Sequence, residues 1–201
     1  MVCGNHEYYG QVIGDINERF TDMAASIENF YFLNNSSVQI DDVKIIGGTM
    51  WTDLNRGDWF TLQRIRNLMN DYEYIKYFEN PELGNIRLTT TKVREMFAEF
   101  REYFESELAS GYTGKSVVMT HHAPCSLSIS DEYKGDLMNY AYYEDMTKYM
   151  FEDNAPQFWV HGHVHNSVNY TIGNTTVRSN PRGYLPKEVN PYFNLNFEFE
   201  V

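Results

Sequence analysis

Six histidines stand in this sequence, and all fall into three short clusters: His6 in Gly4-Asn5-His6-Glu7, His121 and His122 in Thr120-His121-His122-Ala123-Pro124, and His161, His163 and His165 around Gly162. Each cluster directly follows a short apolar run of buried-strand type, such as Val117 to Met119 or Phe158 to Val160. Neutral imidazole is the commonest metal ligand, and loops at strand ends are where layered α/β folds keep their chemistry. The clustering therefore points to metal binding rather than to scattered core histidines. In His163-Val164-His165 the i, i+2 spacing sends both rings to one side of an extended segment, about 6 to 7 Å apart along the chain. Two such rings could grip one metal or each serve one of a pair, since paired hydrolytic metals sit about 3.5 to 4 Å apart and bonds of about 2 Å can reach both.

The remaining reactive residues carry less. Cys3 and Cys125 have no CxxC spacing, which gives no basis for a disulfide framework or a four-thiolate zinc site and is read as two buried free thiols. His122 and His161 are read as packing or hydrogen-bonding neighbours of the site. Trp51, Asp53, Asn70, Asp71 and Arg182 are candidates for shaping a substrate pocket, Arg182 through the planar fork that suits phosphate. Arg56-Gly57-Asp58 is read as a chance match to an adhesion tripeptide.

The elements that must position these groups follow from periodicity. Val12, Ile16, Phe20, Met23, Ala24 and Ile27 predict a helix over about 12–27. Phe30 to Leu33, Val38 to Ile40 and Val43 to Ile46 read as strands, the last two joined at Asp41-Asp42. Residues 50 to 88 read as an irregular insertion with short helical pieces. A helix capped within Thr89 to Thr91 carries Val93, Met96, Phe97, Phe100, Phe104 and Leu108 on one stripe. Tyr142 to Phe151 is a helix candidate, Ser167 to Ile172 pairs with Thr175 to Arg178 across Gly173-Asn174, and Phe193, Leu195, Phe197 and Phe199 alternate like a closing strand. This order predicts an α/β fold, a layered sandwich with mixed sheets.

Composition bounds the function. A 201-residue chain with 42% hydrophobic and 16% aromatic residues is folded and sized for a single domain, 1–201. Sixteen basic against 28 acidic residues give −12, which leaves no general cationic surface for nucleic acid or anionic lipid, so a bound anion needs local positive charge. No apolar run approaches the roughly 20 residues of a membrane span, and there is no basic-then-apolar leader, from which a cytoplasmic location is expected.

Taken in order, Gly4-Asn5-His6-Glu7, Thr120-His121-His122-Ala123-Pro124 and Gly162-His163-Val164-His165 resemble the last three signature motifs of the calcineurin-like metallophosphoesterases. Trp51-Thr52-Asp53, Met69-Asn70-Asp71 and Asn180-Pro181-Arg182-Gly183-Tyr184 extend the resemblance to bacterial and phage-type members over nearly the whole chain. The resemblance implies the family's α/β/β/α sandwich and two divalent metal ions, Mn, Fe or Zn. It implies that Asn5, His121 and His163 ligate one metal and that His165 belongs to the other. His6 would touch the substrate phosphate with Asn5 and protonate the leaving oxygen, with Arg182 a further phosphate contact. The activity implied is hydrolysis of a phosphate ester by a metal-held hydroxide, which would supply the local cationic charge that a −12 chain otherwise lacks.

The pattern departs from the family's in one respect. Neither D-x-H nor a G-D-x-x-D ahead of the GNHE motif occurs in these residues, and Gly14-Asp15-Ile16-Asn17-Glu18 is read as solvated helix surface. The expectation is a domain lacking that fold's first strands and half its metal ligands, read three ways: a truncated reading frame, a split enzyme completed by an N-terminal fragment or second chain, or a degenerate descendant. The other reading is a non-catalytic metal-binding or regulatory module.

Overall fold

The computed structural model describes residues 1–201. β1 (Ser36–Ile40) and β2 (Val43–Gly48) form the hairpin expected at Asp41-Asp42, with Asp41 at φ 53° in the left-handed conformation of a tight turn. β5 (Lys115–Thr120), β6 (Phe158–Val160) and β8 (Thr175–Ser179) add in parallel, and β7 (Val168–Ile172) closes antiparallel on β8, giving a six-stranded mixed sheet ordered β1-β2-β5-β6-β8-β7. The mixed α/β class expected from the sequence is the one observed, a six-stranded mixed sheet with helices.

Register explains the core. Ile46 lies opposite Val118, Val118 opposite Trp159 and Trp159 opposite Val177, so one row of side chains crosses four strands with none above 1% exposure. Burying each such side chain contributes about 1.5–3 kcal/mol. α5 (Thr90–Leu108) begins where the Thr89 hydroxyl accepts the Lys92 N–H, and it buries Val93, Phe97, Phe100 and Phe104. Phe104 meets the edge of Trp159 at 5.3 Å, and a Cβ on Gly48 would stand 2.8 Å from the Phe100 ring, so this helix sits close over β2 only because residue 48 has no side chain. α1 (Ile13–Ser26) buries Ile13 and Ile16, matching the helix expected over 12–27.

Between β2 and α5 lie α2 (Leu54–Gly57), α3 (Trp59–Leu68), α4 (Asp71–Tyr74) and an antiparallel ribbon of β3 (Lys76–Asn80) with β4 (Gly84–Arg87). The helical pieces were expected in this stretch; the ribbon was not, because its polar residues lack an apolar alternation. A second ribbon, β9 (Gly183–Tyr184) with β10 (Glu188–Val189), lies near the C-terminus.

Three expected elements are absent. Residues 30–33 form no strand; the Leu33 N–H donates to the Met1 carbonyl and the Met1 amino group to the Tyr31 carbonyl instead. Residues 142–151 are not a helix: one 3₁₀ turn, Leu137–Ala141, ends just before them, and another, Thr147–Phe151, closes them. The segment between them is held extended, because Ala123 N–H donates to the Tyr142 carbonyl while Glu144 and Met146 N–H groups donate to Ala123 and Pro124. Tertiary pairing has overridden a weak helical period here. The 193–199 alternation is not a strand either: Asn194 and Asn196 N–H groups are taken by the Asn180 and Asn194 side chains, and Phe199 packs on Phe158 (4.8 Å) beneath the Arg178 guanidinium (4.6 Å). No helix is long and apolar enough to cross a membrane.

One buried polar link joins core to site. The Trp159 indole N–H donates to the Thr120 hydroxyl oxygen (2.9 Å), and that hydroxyl donates to the His122 carbonyl (2.8 Å). Thr120→Val strands the indole N–H in the core and is expected to cost about 1–3 kcal/mol in urea unfolding; an unchanged midpoint would show that the bond contributes nothing net.

Candidate functional site

The parallel ladder sets Gly48 beside Thr120 and Met119 beside Val160, so β2, β5 and β6 end at one edge of the sheet and their following loops start together. The Thr49 carbonyl accepts the N–H groups of His121 and His122 (3.3 Å each) and His122 Nδ1–H (3.1 Å), while Gly162 N–H donates to the His121 carbonyl (3.1 Å). The Thr49 hydroxyl donates to the Cys3 carbonyl at 2.9 Å and brings residues 3–8 to the same edge. There Asn5 opens a 3₁₀ turn, Asn5–Tyr8, whose entry is fixed by Gly4 N–H donating to the Glu7 carboxylate (2.7 Å). Gly4 lies against the His121 ring, where a Cβ would come within 2.4 Å, so any side chain would displace the imidazole.

Three of the residues singled out in the sequence converge. His121 Nε2 lies 2.9 Å from Asn5 Oδ1 and 3.1 Å from His163 Nδ1. His163 takes a left-handed backbone, φ 64°, and its ring is stacked on Tyr142 (4.6 Å) and packed on His122 (4.5 Å), with its Nε2 buried and unpartnered. Burial, then the neighbouring His122, hold the His121 and His163 imidazoles well below their ordinary pKa, so both are neutral near pH 7 and keep a lone pair for a cation. Two donors sharing one ion at about 2.1 Å are about 3.0 to 3.4 Å apart, so the spacing here suits a common cation. The donor set reaches three only through the Asn5 carboxamide; no three His, Cys, Asp or Glu side chains form such a group.

His6 and His165 line a cleft of about 580 Å³ together with Asn5, Asn70, Tyr142 and His163. His6 is exposed; its ring packs against Tyr9 (4.4 Å) and lies parallel to Tyr184, whose hydroxyl is 2.9 Å from Nδ1. His165 Nδ1 is 2.9 Å from the Glu188 carboxylate and its ring stands edge-on to Tyr184 at 4.4 Å. The β9–β10 ribbon thus reaches both cleft histidines. Tyr9, Tyr142 and Glu188 carried no sequence signal; each is joined to the site only by folding.

Among the pocket candidates, Asn70 lines the cleft and Asp71 is buried beside Asn5. Trp51 is buried against His122 (5.3 Å), and Asp53 caps the α2 turn by accepting Arg56 N–H. Arg182 is exposed, is not among the residues lining the cleft, and offers its backbone carbonyl to Asn190. His161 is a packing residue, with Nδ1–H donated to the Gly162 carbonyl and Nε2 accepting from Ser128 (2.8 Å). Both cysteines are free and buried, as read from their spacing.

Behind the cleft wall, Glu144 accepts the Asp53 N–H at 2.7 Å, and burial pushes its carboxyl up to about 7. The native state therefore keeps a proton that the unfolded chain has released, so stability falls as pH rises from the ordinary glutamate range through about 7. Glu144→Gln is expected to remove on the order of 2 kcal/mol of that slope, read from thermal unfolding across pH 5–8.

Comparison with known proteins places this geometry. The chain is 28% identical over 212 residues to uncharacterized protein L509 of Acanthamoeba polyphaga mimivirus, covering 98% of this chain and 72% of that one. A solved structure of a putative 5'-nucleotidase from Staphylococcus aureus, in complex with alpha-ketoglutarate, aligns at a TM-score of 0.41 and 16% identity over 90% of this chain; the chain spans 31% of that protein's length. The family model for calcineurin-like phosphoesterases matches residues 1–167, from the GNHE turn through the GHxH loop. This chain belongs to the calcineurin-like phosphoesterase family.

Proposed function

We propose that the protein hydrolyses a phosphate ester with the help of divalent metal, Mn, Fe or Zn. The observation that carries this reading is the meeting of Asn5 Oδ1, His121 Nε2 and His163 Nδ1, with Asn5 and His163 lining a cleft that His6 and His165 also line. Those three atoms would hold one cation, and His165, with Nδ1 engaged by Glu188, offers Nε2 toward a second. A bound metal ion supplies Lewis acidity toward the phosphoryl oxygens and a more acidic water.

The chain's own residues do the rest. Asn5, at the head of its turn, orients the phosphate. His6, exposed beside it, donates a proton to the departing ester oxygen, with the Tyr184 hydroxyl holding the ring in place. Tyr142 covers one face of the His163 ring, and Tyr184 stands edge-on to His165.

The test is turnover of p-nitrophenyl phosphate and bis(p-nitrophenyl) phosphate after chelation and reloading with Mn²⁺, Fe²⁺ or Zn²⁺. Activity that appears only with metal supports the reading. Because the D-x-H and G-D-x-x-D carboxylates are not among these residues, one tightly held ion per chain is expected, with turnover rising when a segment bearing them is supplied. A folded protein that gains nothing from any of these metals, with or without that segment, overturns it.

A further inference from the structure

Asn5 can aim its carboxamide oxygen at His121 only if its nitrogen is engaged elsewhere. The side-chain Nδ2 donates to Asp71 Oδ1 at 2.8 Å, and the Tyr9 hydroxyl donates to the same oxygen at 2.6 Å. Asp71 opens α4 and is only 3% exposed, so no solvent competes for these bonds. An oxygen that receives two donors is an acceptor whether or not the other carboxyl oxygen carries a proton. Turning the amide over would set oxygen against oxygen at Asp71 and an NH₂ group against His121 Nε2. Asp71 therefore permits one orientation of Asn5, the one that presents Oδ1 to His121 Nε2.

We propose that Asp71 is the positioning residue of the cation site, acting through Asn5, and that Tyr9 fixes the oxygen it uses. The inference rests on the metal-dependent reading above and deepens it. Asp71 touches neither substrate nor the proposed ion; it reaches the site by one hydrogen bond from a helix that is 66 residues away from Asn5 in sequence. Tyr9 sits four residues after Asn5 in sequence and packs on His6 as well, so the same carboxylate steadies the turn that carries both residues.

The experiment measures Mn²⁺ affinity by calorimetry and by the free-Mn²⁺ electron paramagnetic resonance signal, on wild type, Asp71→Ala and Asp71→Asn. Losing a partner that orients a ligand lowers metal affinity by about 10- to 100-fold, and that is the loss expected of Asp71→Ala; Asp71→Asn retains an acceptor oxygen and is expected to stay within about 5-fold of wild type. Asp71→Leu, which fills the space without an acceptor, gives the same readout should the alanine variant not fold. A purely structural role would lower the melting temperature and leave the affinity of the folded protein unchanged, and affinity within about 2-fold of wild type in the folded Ala or Leu variant overturns the proposal. The metal-free protein supplies a separate readout: one Asn5 side-chain amide proton should be protected from exchange in wild type and lose that protection without Asp71. Wild type that binds none of Mn²⁺, Fe²⁺ and Zn²⁺ overturns the metal reading and this role together, whereas normal wild-type binding with an unaffected Asp71→Ala overturns the role alone.

Discussion

Replacing His163 with alanine is expected to bring metal-dependent turnover to background and to weaken Mn²⁺ binding by more than the roughly 10- to 100-fold typical of an outer partner. His163 is the residue on which the site closes. Its Nδ1 is 3.1 Å from His121 Nε2, its ring is packed between Tyr142 and His122, and its backbone holds φ 64°, a conformation that costs an L-residue about 1–2 kcal/mol. Strain of this kind persists where surrounding structure fixes it for function. The variant also removes a buried Nε2 that has no partner, so the metal-free fold should lose little. His163→Gly sharpens the test, because glycine relieves the left-handed strain while still removing the donor: metal binding should be lost with metal-free thermal stability at or above that of His163→Ala. Retained Mn²⁺ affinity in either variant would remove His163 from the ligand set.

The second large effect is expected at His6, and it should look different. His6→Ala removes an exposed ring that carries no core packing, so fold and Mn²⁺ affinity should match wild type while kcat falls by about 10²- to 10⁴-fold, the range for loss of a general acid. The loss should be greatest for alkyl esters, whose leaving oxygen needs a proton, and smallest for p-nitrophenyl esters, whose departing anion is already stable. An equal loss for both leaving groups would point to phosphate binding rather than proton donation. Together the two variants separate holding a cation from moving a proton, since His163→Ala should fail in both assays and His6→Ala in one.

Much of the framework was legible in the chain because its signals are local. The Phe stripe of α5, the Asp41-Asp42 and Gly173-Asn174 hairpins and the apolar runs before His121 and His161 depend on near neighbours and became the elements expected, whereas the residues before Asn5 form no strand. Misreadings fell where distant backbone competes for the same hydrogen bonds. Residues 142–151 read as a helix, but 142–146 are drawn out along Ala123 and Pro124; Phe193 to Phe199 alternate but do not join the sheet, and Phe199 packs on Phe158 and Arg178.

The sequence by itself determined which residue types could serve a cation and a phosphate, and that three short stretches carry them, two of them at strand ends, because the family's motifs are short and contiguous. Only the tertiary structure decided which donor atoms meet. Parallel register brings the ends of β5 and β6 together, the Thr49 carbonyl and the Gly4 gap seat the His121 ring, and Asp71 and Tyr9 turn the Asn5 amide. These are contacts between residues dozens of positions apart, and the direction of a side-chain atom is set by what packs around it, which no local spacing encodes.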